Sequence, residues 1–199
     1  MTIILLAEGA TEKALGRKLK MFLDERATQG GHPKVAFRTK DIMSLNEGVL
    51  RGRIRRELNS QSVTGVIGLI DVYPDFKSAI EAKDFLRKAA ENNPRFYAHA
   101  AQYDVEAWLL PYWDIICKRV GFVEKTPGLY PEQVNRDNPP SKRLATLYRR
   151  AKPRPKKYIK PIEMDRILQK QDLMIAANQC PELKALLNTL LKLAGLSDL

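Results

Sequence analysis

Cysteine and histidine are scarce in this chain of 199 residues, with two of each, and both scarcities remove chemistry. Cys117 and Cys180 lie far apart and belong to no Cys-x-x-Cys pair, so neither a disulfide framework nor a zinc site is indicated. His32 and His99 stand alone and no Gly-x-Ser-x-Gly elbow surrounds Ser141, which argues against a serine hydrolase. His99 falls within a predicted strand and reads as a core residue. Glycine is sparse at the first turn, where Gly9 is not followed by a Gly-rich loop ending in Lys-Ser or Lys-Thr, so the chain is not itself a P-loop ATPase. Long apolar runs are missing too. The first run, Ile3 to Ala7, has no basic region before it and no small-residue cleavage site behind it, so it reads as a strand rather than a signal peptide, and no later run could span a bilayer. These absences lead us to expect a cytoplasmic protein with no membrane contact.

Acidic residues are the minority charge, 23 against 34 basic, giving a formal net charge of +11 and a pI near 9.7. Such a field attracts polyanions, of which nucleic acid is the commonest for a soluble protein. The hydrophobic share of 44% is enough to bury a core, and the length suits one domain or a domain with a small appendage.

The pattern along the chain predicts an α/β fold. The apolar run ending at Glu8-Gly9 is followed by Leu15, Leu19, Phe22 and Leu23 at helical spacing, with Thr11 available as a cap and Glu12 in the first turn, where the helix dipole favours it. Lys34 to Arg38 reads as a second strand, Leu45 to Leu58 as a second helix, and Val63 to Ile70 as a third strand ending in Asp71 before Tyr73-Pro74. A helix over 75–91 and a strand over 95–101 complete a βαβαβαβ order, which points to a mainly parallel sheet flanked by helices. Val105, Trp108, Leu109, Tyr112, Ile115 and Ile116 share a helical stripe that Pro111 should kink. The segment 121–161 contains seven prolines (Pro127, Pro131, Pro139, Pro140, Pro153, Pro155 and Pro161) and is expected to be mostly a basic, Pro-rich loop. Two helices then form a small C-terminal cap, one carrying Met164, Ile167, Leu168, Met174 and Ile175 and one starting at Pro181. The expected division is an α/β core over 1–120, and a basic loop with a helical subdomain over 121–199.

Glu8 and Asp71 each end a buried strand, and open α/β sheets place their sites beyond the carboxyl ends of the strands. If the two strands are neighbours, both carboxylates reach one rim, an arrangement that suits Mg²⁺ or Mn²⁺ with water and substrate phosphate filling the remaining positions. Asp104 and Glu106 open the next helix from the same end. Two residues apart on a helix they point roughly 200° apart, so Asp104 is expected to cap the helix while Glu106 faces the site. From Asn138 to Ile162 there are nine basic residues and no acidic one: Lys142, Arg143, Arg149, Arg150, Lys152, Arg154, Lys156, Lys157 and Lys160, with Tyr148 and Tyr158 between them. An uncompensated run of this kind is expected to follow a phosphate backbone, and Lys142 or Arg143, held after Pro139-Pro140, can stabilise charge on a reacting phosphoryl group.

Five short motifs, in order, carry a resemblance: Glu8-Gly9-Ala10-Thr11-Glu12, Leu69-Ile70-Asp71-Val72-Tyr73, Tyr103-Asp104-Val105-Glu106-Ala107-Trp108-Leu109-Leu110, Pro140-Ser141-Lys142-Arg143-Leu144 and Cys180-Pro181. Together they resemble a prokaryotic TOPRIM-like family of unknown function, similar to the nuclease halves of overcoming-lysogenization-defect (OLD) proteins. The resemblance implies a Mg²⁺- or Mn²⁺-dependent endonuclease cutting DNA or RNA, serving as the effector of an anti-phage defence system with an ABC-type or AAA ATPase partner. It implies catalytic roles for Glu8, Asp71, Glu106 and Lys142, and metal ligation by Glu8, Asp71, Glu106 and Asp75. Tyr73 stands where the second acid of the TOPRIM Asp-x-Asp would be, with Asp75 two residues further on. The other reading consistent with these residues is a catalytically inactive nucleic-acid-binding or ATPase-interacting subunit of the same kind of complex.

Overall fold

A computed structural model describes residues 1–128, 130–133 and 138–199. Four strands, β1 (Thr2–Ala7), β2 (Ala36–Asp41), β3 (Val63–Asp71) and β4 (Phe96–Ala101), form one sheet in the order β2-β1-β3-β4, with every neighbouring pair parallel. Helix α1 (Ala10–Gln29) connects β1 to β2, α2 (Glu47–Leu58) connects β2 to β3, and α3 (Ala79–Ala89) connects β3 to β4. Residues of β1 alternate between two cores. Ile3, Leu5 and Ala7 pack with α1, while Ile4 and Leu6 pack with α2 and α3, so both faces of the sheet are covered and the strand reads as an unbroken apolar run. The chain steps to one side of β1 to make β2 and to the other side to make β3. That reversal creates a crevice beyond the carboxyl ends of β1 and β3, the usual place for a ligand in such sheets.

The α1 face carries the rest of the chain. A 3-10 helix over Val105–Tyr112 runs directly into α4 (Trp113–Val120), followed by α5 (Pro140–Arg149), α6 (Lys160–Leu168), α7 (Leu173–Ala177) and α8 (Pro181–Leu193). Leu144, Met164, Leu183 and Leu187 join Ile3, Leu5 and Trp108 in one buried cluster, so these helices share the core of the sheet. Among the described residues, no helix is long and apolar enough to cross a membrane.

Three expectations change. The kinked helix at Pro111 is instead a tight 3-10 segment that switches to α only at Trp113, because proline at that point has no N–H to give to an α-helical carbonyl. The segment 121–161 is not an extended strip throughout, since α5 occupies its middle, with Pro140 in the first turn and Leu144, Leu147 and Tyr148 forming a buried stripe. Residues 129 and 134–137 of that segment lie outside the described residues. The expected helix carrying Met164 to Ile175 is two helices, because Asp172 caps a separate α7 through the Met174 N–H.

Candidate metal and phosphate site

The crevice is assembled from residues that close each element locally. Beyond Ala7, Glu8 is exposed and Gly9 takes the N-cap position of α1, which Thr11 was expected to fill. A Cβ on Gly9 would come within 2.7 Å of Glu12 Oε2, so glycine leaves the room for this carboxylate to fold back. Glu12 is the third residue of α1, and its carboxyl turns back towards the backbone N–H groups of Gly9 and of Glu12 itself, the carboxylate half of a capping box. It is nevertheless 5% exposed and its Oε2 has no hydrogen-bond partner.

Asp71, the last residue of β3, accepts the Val105 N–H at 3.0 Å and so caps the 3-10 segment. Asp104, expected in that role, reaches away: its Oδ2 accepts the Ser141 N–H at 3.1 Å, capping α5 after Pro139, which has no side chain able to do so. Its Oδ1 is buried without a partner. Glu106 is fully buried, neither of its oxygens is hydrogen-bonded, and the Lys160 ammonium stands 3.3 Å from Oε1.

These groups influence one another's ionisation. Burial raises the Asp71 carboxyl well above its usual range, and the charges of Glu12, Glu106 and Asp104 raise it further. Burial, then repulsion by Asp104, pushes Glu106 up to about 7. Glu12 and Asp104 are raised mainly by burial; Glu8, though exposed at the rim, is raised by partial desolvation of its carboxyl and then by the charges of Glu12 and Asp75. Lys160 opposes the rise at Glu12, Asp71, Asp104 and Glu106 alike. Burial alone would lower the Lys160 ammonium, but Glu106, Asp104 and Asp71 outweigh it and raise it.

One ammonium facing four sequestered carboxylates leaves an excess of negative charge, which must be met by protons or by a cation. The donors are all oxygen, and several have no partner, so their chemistry fits a hard divalent ion. Their placement is looser than their chemistry. Among the described residues no three Asp, Glu, His or Cys side chains are gathered closely enough to hold a metal ion as they stand. Of the sequence-derived ligands, Glu106 is buried and Asp71 half-buried beside it, whereas Glu8 and Asp75 are exposed at the rim. Glu12 was missed as a site residue, because a first-turn acid is explained by the helix dipole alone.

Residues 7–191 match a single family profile, running from the end of β1 into α8. The chain belongs to the family described as a domain of unknown function, DUF4276. The match covers all of the carboxylates above, together with α5 and Lys160, so the crevice of this DUF4276 chain lies wholly within the family's shared extent. No curated protein and no solved structure matches it.

The basic residues of the DUF4276 chain divide among several places. Lys142 donates to the Tyr73 hydroxyl at 2.8 Å and lies 5.1 Å from that ring's centre, which brings α5 to the turn after Asp71. Arg143 is half-buried with Nε unpartnered. Lys142, Arg149 and Lys157 line a cavity of ≈ 450 Å³ with Asn138, Thr146 and Tyr158. Lys152 and Arg154 are exposed, Lys156 donates to the Arg119 carbonyl, and Arg150 pairs with Glu124 at 2.9 Å. Lys160 leaves the strip for Glu106. The helix presenting the strip is anchored by buried Glu163, which accepts from Arg119 Nε at 2.7 Å and from the Tyr148 hydroxyl at 2.6 Å.

Proposed function

We propose that this chain is a TOPRIM-like, Mg²⁺- or Mn²⁺-dependent nuclease hydrolysing phosphodiester bonds of DNA or RNA. The observation that carries the reading is one carboxylate cluster at the switch point of a parallel sheet, joined through Ser141 and Lys142 to a helix bearing unopposed cations. Asp71, Glu12, Glu106 and exposed Glu8 would hold the cation, with Asp75 at the rim. Bound there, one or two such ions would activate water and stabilise both the entering and leaving oxygens. Lys142 would hold a phosphate at the mouth, and Arg143, Arg149, Lys152, Arg154 and Lys157 would supply charge along the flanking backbone. Asp104 acts indirectly by fixing the start of α5. The resemblance to OLD-type nucleases adds an ABC-type or AAA ATPase partner and a role in anti-phage defence.

The test is incubation of the purified protein with plasmid, single-stranded DNA and tRNA in Mg²⁺, Mn²⁺ or EDTA. The proposal expects cleavage that EDTA stops and that Glu8→Gln abolishes while nucleic-acid binding survives. Undiminished cleavage by that variant refutes it. A second reading, a catalytically silent nucleic-acid-binding subunit, is favoured by Tyr73 at the position where TOPRIM sites carry a second acid, and by the ungathered carboxylates. Binding without cation-dependent cleavage in the same assay supports that reading instead.

A further inference from the structure

Lys160 is the first residue of α6, and its side chain passes from a half-exposed surface position to Glu106, which is fully buried. Glu12, Asp71 and the pair Asp104 and Glu106 come from three separate segments of the chain, and all four carboxylates are stabilised in their charged forms by this one ammonium. The cluster also holds buried oxygens on Glu12, Asp104 and Glu106 that accept no hydrogen bond. A single tethered cation with three hydrogens cannot satisfy that many acceptors, so it neutralises the cluster only in part. Those acceptors are also donors of the kind a divalent ion takes, and they remain ungathered while Lys160 stands among them.

We propose that Lys160 is a built-in counter-ion that blocks the carboxylate cluster of the free protein and must swing out before a divalent cation can enter. This rests on the cation-dependent reading above and deepens it by naming the residue that regulates access. The exchange forms ion–carboxylate contacts and breaks the Lys160–Glu106 pair, with no covalent change. Near half-exposure of the Lys160 side chain gives the ammonium a short path to water.

The test is Mn²⁺ titration of the full chain by isothermal calorimetry, comparing the unmodified protein with Lys160→Met and Lys160→Arg. Removing a competing charge at this range should tighten Mn²⁺ binding roughly tenfold or more in Lys160→Met, while Lys160→Arg, which keeps the charge, should stay close to the unmodified protein. Equal or weaker binding by Lys160→Met overturns the proposal while leaving the cation site intact, and no Mn²⁺ binding by any of the three overturns both. Acetylation of the unmodified chain, read at Lys160 by mass spectrometry, needs no variant to fold. Reactivity should rise several-fold in Mn²⁺ over EDTA, and unchanged or reduced reactivity contradicts displacement.

Discussion

Glu106→Gln should make the cation-free protein more stable at neutral and alkaline pH, and the size of the effect follows from where the side chain sits. Glu106 is fully buried, and burial together with Asp104 moves its carboxyl from 4.5 to about 7. Because the folded value is raised, the neutral form is favoured in the folded state. The associated stability is fully present below pH 4.5 and is lost as pH rises through about 7. At about 1.4 kcal/mol per pH unit, the loss reaches about 3 kcal/mol by pH 8. Asp71, Glu12 and Asp104 are shifted in the same direction, so each adds to the stability the unmodified protein loses as pH rises. Glutamine keeps the shape and cannot ionise, so the variant should match the unmodified protein at pH 5 and exceed it by about 3 kcal/mol at pH 8, some 6–12 °C in melting temperature for a chain of this size. Urea denaturation in EDTA at both pH values measures the difference. Adding Mg²⁺ at pH 8 should recover stability in the unmodified protein and do less for the variant. Parallel pH profiles for the two proteins would mean that Glu106 does not ionise inside the folded protein over this range.

Other outcomes follow from the same geometry. Charge reversal at both Lys142 and Arg149 should weaken polyanion binding and lower its salt dependence by about 2 in log–log slope, measured by fluorescence anisotropy from low to high salt. Gly16→Ala should cost about 1–3 kcal/mol in denaturant melts, because its new Cβ would collide with the Thr39 side chain where α1 crosses β2. Glu163→Ala leaves the Arg119 guanidinium and the Tyr148 hydroxyl with only their own 3.2 Å contact, and should cost about 2–4 kcal/mol while raising amide exchange in α5 above that of α1.

Much of the fold was legible because burial on both faces leaves a simple mark. The runs Ile3–Ala7 and Val63–Ile70 are apolar at every position save Thr64, Gly65 and Gly68, and each ends abruptly in a carboxylate, so both strands and the rim they share follow from the sequence. Glu12 was missed although a signal existed. It continues the stripe Leu15, Leu19, Phe22 and Leu23 one turn towards the start of α1, so it had to face the sheet. The exchange of caps between Asp71 and Asp104 was hidden because each carboxylate serves an element that follows a different break in the chain, Asp104 reaching Ser141 across 37 residues. Lys160 was unreadable for a related reason: nothing in a basic run reveals which cation folds inward, and its pair with Glu106 depends on α6 packing against the 3-10 segment that carries Glu106.

The most direct test of the account is a crystal soaked in Mn²⁺ and measured at a wavelength where manganese scatters anomalously. The account predicts a peak in the crevice beyond β1 and β3, about 2 Å from oxygens of Asp71 and at least one of Glu8, Glu12 and Glu106, with Lys160 turned away. A well-soaked crystal with no peak there, or with manganese bound only elsewhere while Lys160 stays on Glu106, would contradict it.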